Sequence, residues 1–94
     1  MDRAGILKAA AEVVTVDREQ QYGKPEDNFA IIAAFWQTYL GHPINAQDVA
    51  AMMALLKIAR IKTGEYKPDN YIDLAGYAAC AGEIAAKMGE INHG

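Results

Sequence analysis

A single cysteine, Cys80, occurs in the 94 residues, so no intramolecular disulfide can staple the chain, and a reducing cytosol suits it. Long apolar runs are also missing. The longest candidate, residues 49–61, is interrupted by Lys57 and Arg60 and falls short of the ~20 residues a membrane-spanning helix needs. Positive charge is scarce: the formal net charge is −3, which argues against a nucleic-acid polymer as partner, since that usually requires a basic face. Residues 1–11 alternate charge with short apolar stretches and carry no signal-peptide pattern, leaving a cytoplasmic protein as the expectation. His42 and His93 lie far apart, so a zinc site is not expected. No Ser-His-Asp set and no Gly-rich phosphate loop is present, and no stretch shows the period-two alternation of a strand.

What the sequence has is apolar residues at helical spacing. They make up 52% of the chain, and much of that is alanine, which lets helices approach closely. A single domain of this length buries only about 60–70% of the surface its unfolded chain exposes, so part of the apolar surface is expected to be covered in a homo-oligomer. The spacing predicts an all-α domain: a bundle of about four helices. The first covers about residues 3–21, with Ile6, Leu7, Ala10, Val13, Val14 and Asp17 on one stripe, and ends at Tyr22-Gly23-Lys24-Pro25. The second runs from Pro25 or Glu26 to Leu40, with Phe29, Ile32, Ala33, Trp36, Tyr39 and Leu40 facing inward and Gly41 as stop. The third opens at Asn45 as N-cap, with Asp48 three residues on, and ends at Gly64. It carries Val49, Met52, Met53 and Leu56 on one face and is apolar nearly all round, which makes it central or part of an interface. The fourth runs from near Asp69, read as N-cap, to about Met88, with fraying expected beyond. Its stripe is Ile72, Ala75, Gly76, Ala79, Cys80 and Ile84, and close approach of a neighbour is expected to offset the weak helix propensity of Gly76 and Gly82.

Three polar clusters stand out. In the first, Asp17-Arg18-Glu19-Gln20-Gln21-Tyr22-Gly23-Lys24 with Asn28 surrounds a glycine turn beside the free N–H groups that open the second helix. This is either a phosphate site, with Arg18 and Lys24 as charge partners and Tyr22 as stacking surface, or a solvated loop with a helix cap. In the second, Lys57 and Arg60 share a face of the apolar third helix. Their partners are either ligand phosphates or protein carboxylates (Asp69 and Asp73, or Asp17), because unpaired buried charge is expensive. In the third, Asp69, Asp73 and Tyr77 line one face of the last helix beside Asn70, and Asp48, Asp69 and Asp73 together are candidate Mg²⁺ ligands. Helix capping is the competing role for Asp48 and Asp69, which leaves Asp73 as the acid without a local task. Cys80 and the methionines fit packing best, and Trp36 is either core or a pocket edge.

The order of these clusters resembles a known group. Tyr22-Gly23, Asn28-Phe29 and Trp36, then Asp48-Val49-Ala50 and Met52-Met53 leading to Lys57-Ile58-Ala59-Arg60, then Asp69-Asn70, Asp73 and Gly76-Tyr77 are similar to small uncharacterised phage and prophage proteins. Those proteins are placed near the MazG-like all-α nucleoside triphosphate pyrophosphohydrolases, and the resemblance covers roughly residues 17–84. It implies a MazG-like helical bundle, oligomeric assembly and a nucleotide ligand. MazG-type enzymes gather Mg²⁺ with E-E-x-x-E and E-x-x-D motifs, and this sequence has neither: Asp69 and Asp73 are four apart. Losing those acids while keeping Arg, Lys, Tyr and Asn suits binding better than hydrolysis, which relies on carboxylates to gather the metal. The expectation is therefore a non-catalytic, cofactor-free nucleotide binder, in a phage setting a sponge for a host defence signal. Arg18, Tyr22, Gly23, Lys24, Asn28, Trp36, Lys57, Arg60, Asn70, Asp73 and Tyr77 are its candidate contacts. A Mg²⁺-dependent pyrophosphohydrolase and a ligand-free helical interaction module are the alternatives.

Overall fold

Helix punctuation settles most of the architecture. The computed structural model describes residues 1–93, and the side chains of all of these except 17–19 and 90–93. The candidate contact Arg18, together with Asp17, Glu19 and His93, therefore has its side chain outside the described residues. Helices account for the regular structure: α1 (Arg3–Glu12), a π-helical segment (Val13–Asp17), α2 (Arg18–Tyr22), α3 (Pro25–Leu40), α4 (Ala46–Thr63) and α5 (Pro68–His93). The described residues contain no strand.

The boundaries follow local chemistry. Asp2 caps α1 by accepting from the Gly5 N–H at 2.8 Å. Gly23 takes a left-handed φ of +79° between α2 and α3, and Pro25 opens α3. At the far end of α3, Gly41 adopts φ +68° and donates its N–H to the Gln37 carbonyl. The Asn45 side chain accepts from the Asp48 N–H at 2.8 Å, and the Asn45 N–H donates to Asp48 Oδ2 at 2.9 Å, closing a capping box. Asp69 is not the N-cap expected from the sequence. Pro68 is already helical, so Asp69 sits in the first turn, where its charge complements the dipole. The last helix also continues past Met88 as far as His93. The π-helical segment in the first helical stretch has no counterpart in the sequence reading.

The core lies where α3, α4 and α5 meet. Phe29, Ala33, Val49, Ala50, Cys80 and Ile84 are buried there, with Val14, Ile32, Trp36, Met53, Tyr77 and Met88 packed around them. Trp36 is thus a core residue. α5 lies most extensively against α4, α1 also packs on α5, and the π-helical segment meets α5 at Gly76. A Cβ on Gly76 would stand 2.9 Å from Val14 Cγ1, so this glycine permits the close approach that its position in the stripe implied. Gly82 meets nothing within 4 Å in this chain, so no other helix of the chain approaches it closely.

Several residues assigned to inward stripes face outward. Leu7, Tyr39, Leu40, Met52 and Leu56 are exposed, and so are Leu55 and Ile58. The apolar pattern of α3 and α4 is wider than one chain can cover, and each helix turns only one side to the core.

An ion pair ties the start of α3 to α5. Lys87 Nζ donates to Glu26 Oε1 at 2.9 Å and also lies 3.1 Å from Glu83. The hydrogen bond from Lys87 holds the Glu26 carboxyl below its usual range, helped by the backbone N–H of Glu26 itself. A depressed carboxyl contributes stability above the ordinary glutamate value, about 4.3, and loses it as pH falls through its lower folded value. The decline in melting temperature on acidification should accordingly be shallower in Glu26→Gln than in wild type; parallel curves would show that this bridge contributes nothing. The two glycines of α5 give opposite expectations. Gly82→Ala should stabilise the fold by up to about 1 kcal/mol through helix propensity. Gly76→Ala should destabilise it by about 1–3 kcal/mol, because the new methyl group overlaps Val14. Urea denaturation of the two variants checks both.

Candidate functional site

The π-helical segment, the turn at Gly23, the start of α3 and the middle of α5 enclose a cleft. It holds about 490 Å³ including its open mouth, and its walls include Val13, Val14, Phe29, Ile72 and Gly76. Tyr22, Gly23, Asn28, Asp73 and Tyr77 also line it. These five come from the first and third polar clusters, which are some fifty residues apart in the chain. Folding places them around one space.

Each is positioned by a local cause. Gly23 takes the left-handed turn between α2 and α3, and Tyr22 just before it is exposed. Asn28 lies in the first turns of α3, next to buried Phe29. Phe29 packs on Tyr77 with ring centroids 6.1 Å apart and planes tilted by 35°, so the two rings brace one wall. Asp73 and Tyr77 are one helical turn apart on α5 and share its face toward the cleft.

The second cluster splits. Lys57 Nζ sits 2.9 Å from Asp73 Oδ2, with both side chains largely withdrawn from solvent. Lys57 therefore reaches the cleft through Asp73, and the acid that lacked a local task proves to hold the cation of α4. Arg60 is exposed in the last turn of α4 and does not line the cleft. There it complements the negative end of the helix dipole. Lys24 is exposed at the N-cap of α3, just beyond Gly23 at the mouth. Asn70 is buried on α5, one turn before Asp73, and Trp36 is core; neither lines the cleft.

The acids considered for Mg²⁺ do not converge. Asp48 is engaged in the capping box with Asn45, Asp73 is paired with Lys57, and Asp69 is exposed in the first turn of α5. Among the described residues no three His, Cys, Asp or Glu side chains gather into a metal site. The donor set therefore does not fit a metal held by these three acids.

The chemistry on offer is a mostly apolar slot with three aromatic rings, one amide and a carboxylate already neutralised by a lysine. A flat ring system suits such walls: it can stack on the aromatics while its polar edge hydrogen-bonds to Asn28 and Asp73. A bare phosphate does not suit the interior, which presents the Asp73 carboxylate with its lysine partner already engaged. The sequence reading missed Val13, Val14, Pro25, Phe29, Ile72, Gly76 and Cys80 as cleft residues. Apolar residues at helical spacing carry no mark separating pocket wall from core, and the π-helical turn that aims Val13 and Val14 has no local signature.

No described helix is long and apolar enough to cross a membrane. No solved structure matches the chain. Two curated relatives are both called "Gene 55 protein". That of Mycobacterium phage D29 is 42% identical over 79 residues, covering 84% of this chain and 52% of the relative. That of Mycobacterium phage L5 is 43% identical over 74 residues, covering 78% of this chain and 47% of the relative. The chain thus spans about half the length of the curated relatives it matches. Residues 5–85, including every element around the cleft, match the family described as "Domain of unknown function (DUF6378)", and the chain belongs to that phage-associated family.

Proposed function

We propose that the cleft receives the base of a nucleotide or nucleotide-derived signal, and that the protein sequesters this ligand without turning it over. The observation that carries the reading is the gathering of Tyr22, Gly23, Asn28, Asp73 and Tyr77 around one slot. Flat heterocycles are the ligands that use aromatic walls and a donor–acceptor edge together. The phosphates then leave through the mouth at Gly23, toward exposed Lys24. In a phage-associated family, capture of a host defence nucleotide is a natural use of such a slot, since the described residues gather no set of metal-binding acids for turnover. The reading of the bundle as MazG-like and homo-oligomeric belongs with this proposal, supported by the order of motifs along residues 17–84. Hydrolysis is disfavoured because Asp48, Asp69 and Asp73 stand apart.

A panel of linear and cyclic nucleotides, read by thermal shift and calorimetry, tests the proposal. At least one is expected to bind. Tyr22 is exposed, so Tyr22→Ala should leave the melting temperature nearly unchanged. It should weaken binding on the order of tenfold, the scale of one lost base–aromatic stack of about 1–3 kcal/mol. Asn28→Ala should weaken binding similarly, whereas Arg60→Ala, outside the cleft, should change it less than about twofold. A panel without any binder would leave the interaction-module alternative standing. Release of pyrophosphate dependent on Mg²⁺ would replace sequestration with catalysis.

A further inference from the structure

We infer that the outer face of α3 is the contact surface for a second copy of this chain, packed α3 against α3 about a two-fold axis. The inference rests on the oligomeric reading given above and not on the ligand.

The surface is unusual for a free chain. Ile31, Phe35 and Tyr39 recur every four residues along α3 and are 59%, 71% and 90% exposed. They form a ridge of large apolar side chains on solvent. Beside it Ala30, Ala34 and Thr38, also exposed, recur at the same spacing and form a shallow groove. In an antiparallel pair of identical helices, each ridge can enter the groove of the other.

Charge selects the same occupant. No Asp, Glu, Lys or Arg occurs from residue 28 to residue 47. About a two-fold axis a side chain on the axis meets its own copy and its neighbours meet other residues of the same face, so a face bearing one sign of charge would oppose like to like. A charge-free face avoids this, and it offers nothing to a basic or acidic partner. A lipid surface is a poorer occupant, since the chain is net −3 and α3 carries no basic rim for anionic headgroups.

The chain as a whole also leaves more surface exposed than a compact monomer does. The chain presents 6626 Å² to solvent, whereas a compact monomer of its 10.2 kDa presents about 5,300 Å². The radius of gyration, 14.1 Å, likewise exceeds the roughly 12.4 Å of a compact domain of this length. The chain thus leaves about 1,300 Å² more surface in water than a compact monomer of its mass, and Tyr39 and Phe35 of the α3 ridge are the most exposed large apolar side chains among the described residues.

Analytical ultracentrifugation of the full chain, alone and with Phe35→Asp plus Tyr39→Asp, tests the inference. Wild type should sediment as a dimer or a multiple of one. The double variant should lose that association, with its self-affinity weakened more than a hundredfold and its helical circular dichroism unchanged. Should two aspartates unfold the helix, Phe35→Ser, which adds no charge, is expected to shift the equilibrium in the same direction. A wild-type oligomer that survives these substitutions with its fold intact would overturn the α3 face while leaving oligomerisation standing. A wild type that is monomeric at all accessible concentrations would overturn both. Neither result bears on nucleotide binding, which the thermal-shift panel reads separately.

Discussion

The contact between Gly76 and Val14 governs the geometry of the molecule. A hydrogen in place of a side chain at position 76 lets the first helical stretch lie directly on α5, with no room for a Cβ between them. The cleft begins where that contact ends. Its walls include Val13 and Val14 from the π-helical turn and Gly76 from α5, and the turn at Gly23 then carries the chain over to α3. A π-helical turn holds one residue more than an α-helical one and is weaker for it. Here it falls where the helix must both press on α5 and line a space, so the irregularity and the cleft are one feature.

The ion pair between Lys57 and Asp73 acts at the same place from the other side. It joins α4 to α5 at the level of the cleft, with both side chains mostly shielded from water. Such a pair is weak evidence of net stability, because desolvation offsets much of its attraction. Its effect on the site is clearer. Asp73 keeps a fixed carboxylate on the cleft wall, and its charge is balanced from behind. A ligand that meets this edge meets an acceptor and not a strong anion field, which favours a polar ring edge over either a cation or a phosphate.

The sequence made helix ends legible because their chemistry is local. Asn45 with Asp48, Gly41 and Gly23 with Pro25 each act within four residues, and the structure uses each as expected. Much of the site was legible for a similar reason: Tyr22, Gly23, Asn28, Asp73 and Tyr77 combine polar or aromatic chemistry with positions at helix ends or on one helix face. Distance along the chain hid the rest. Asp73 was among the carboxylates open to Lys57, but nothing near Lys57 singles out this acid, sixteen residues away, from Asp69 or Asp17, nor shows that Arg60, one turn further on, faces water. Asp69 was misread as a cap because Pro68 enters the helix one residue earlier than the acid suggests.

The stripes of α3 and α4 were the hardest to read, and for an informative reason. A periodic pattern identifies a buried face only when the opposite face is polar. In α3 the residues between Asn28 and Leu40 are apolar or neutral all round, so Tyr39 and Leu40 fit an inward stripe as well as Phe29 and Ala33 do. Within one chain the core takes Phe29 and Ala33 and leaves Ile31, Phe35 and Tyr39 in water. Leaving such side chains exposed forfeits about 1.5–3 kcal/mol of burial for each, a large part of the stability a 94-residue domain can muster. A pattern ambiguous in the monomer would be resolved by the proposed second copy, against which the outer face of α3 would become an inward face too.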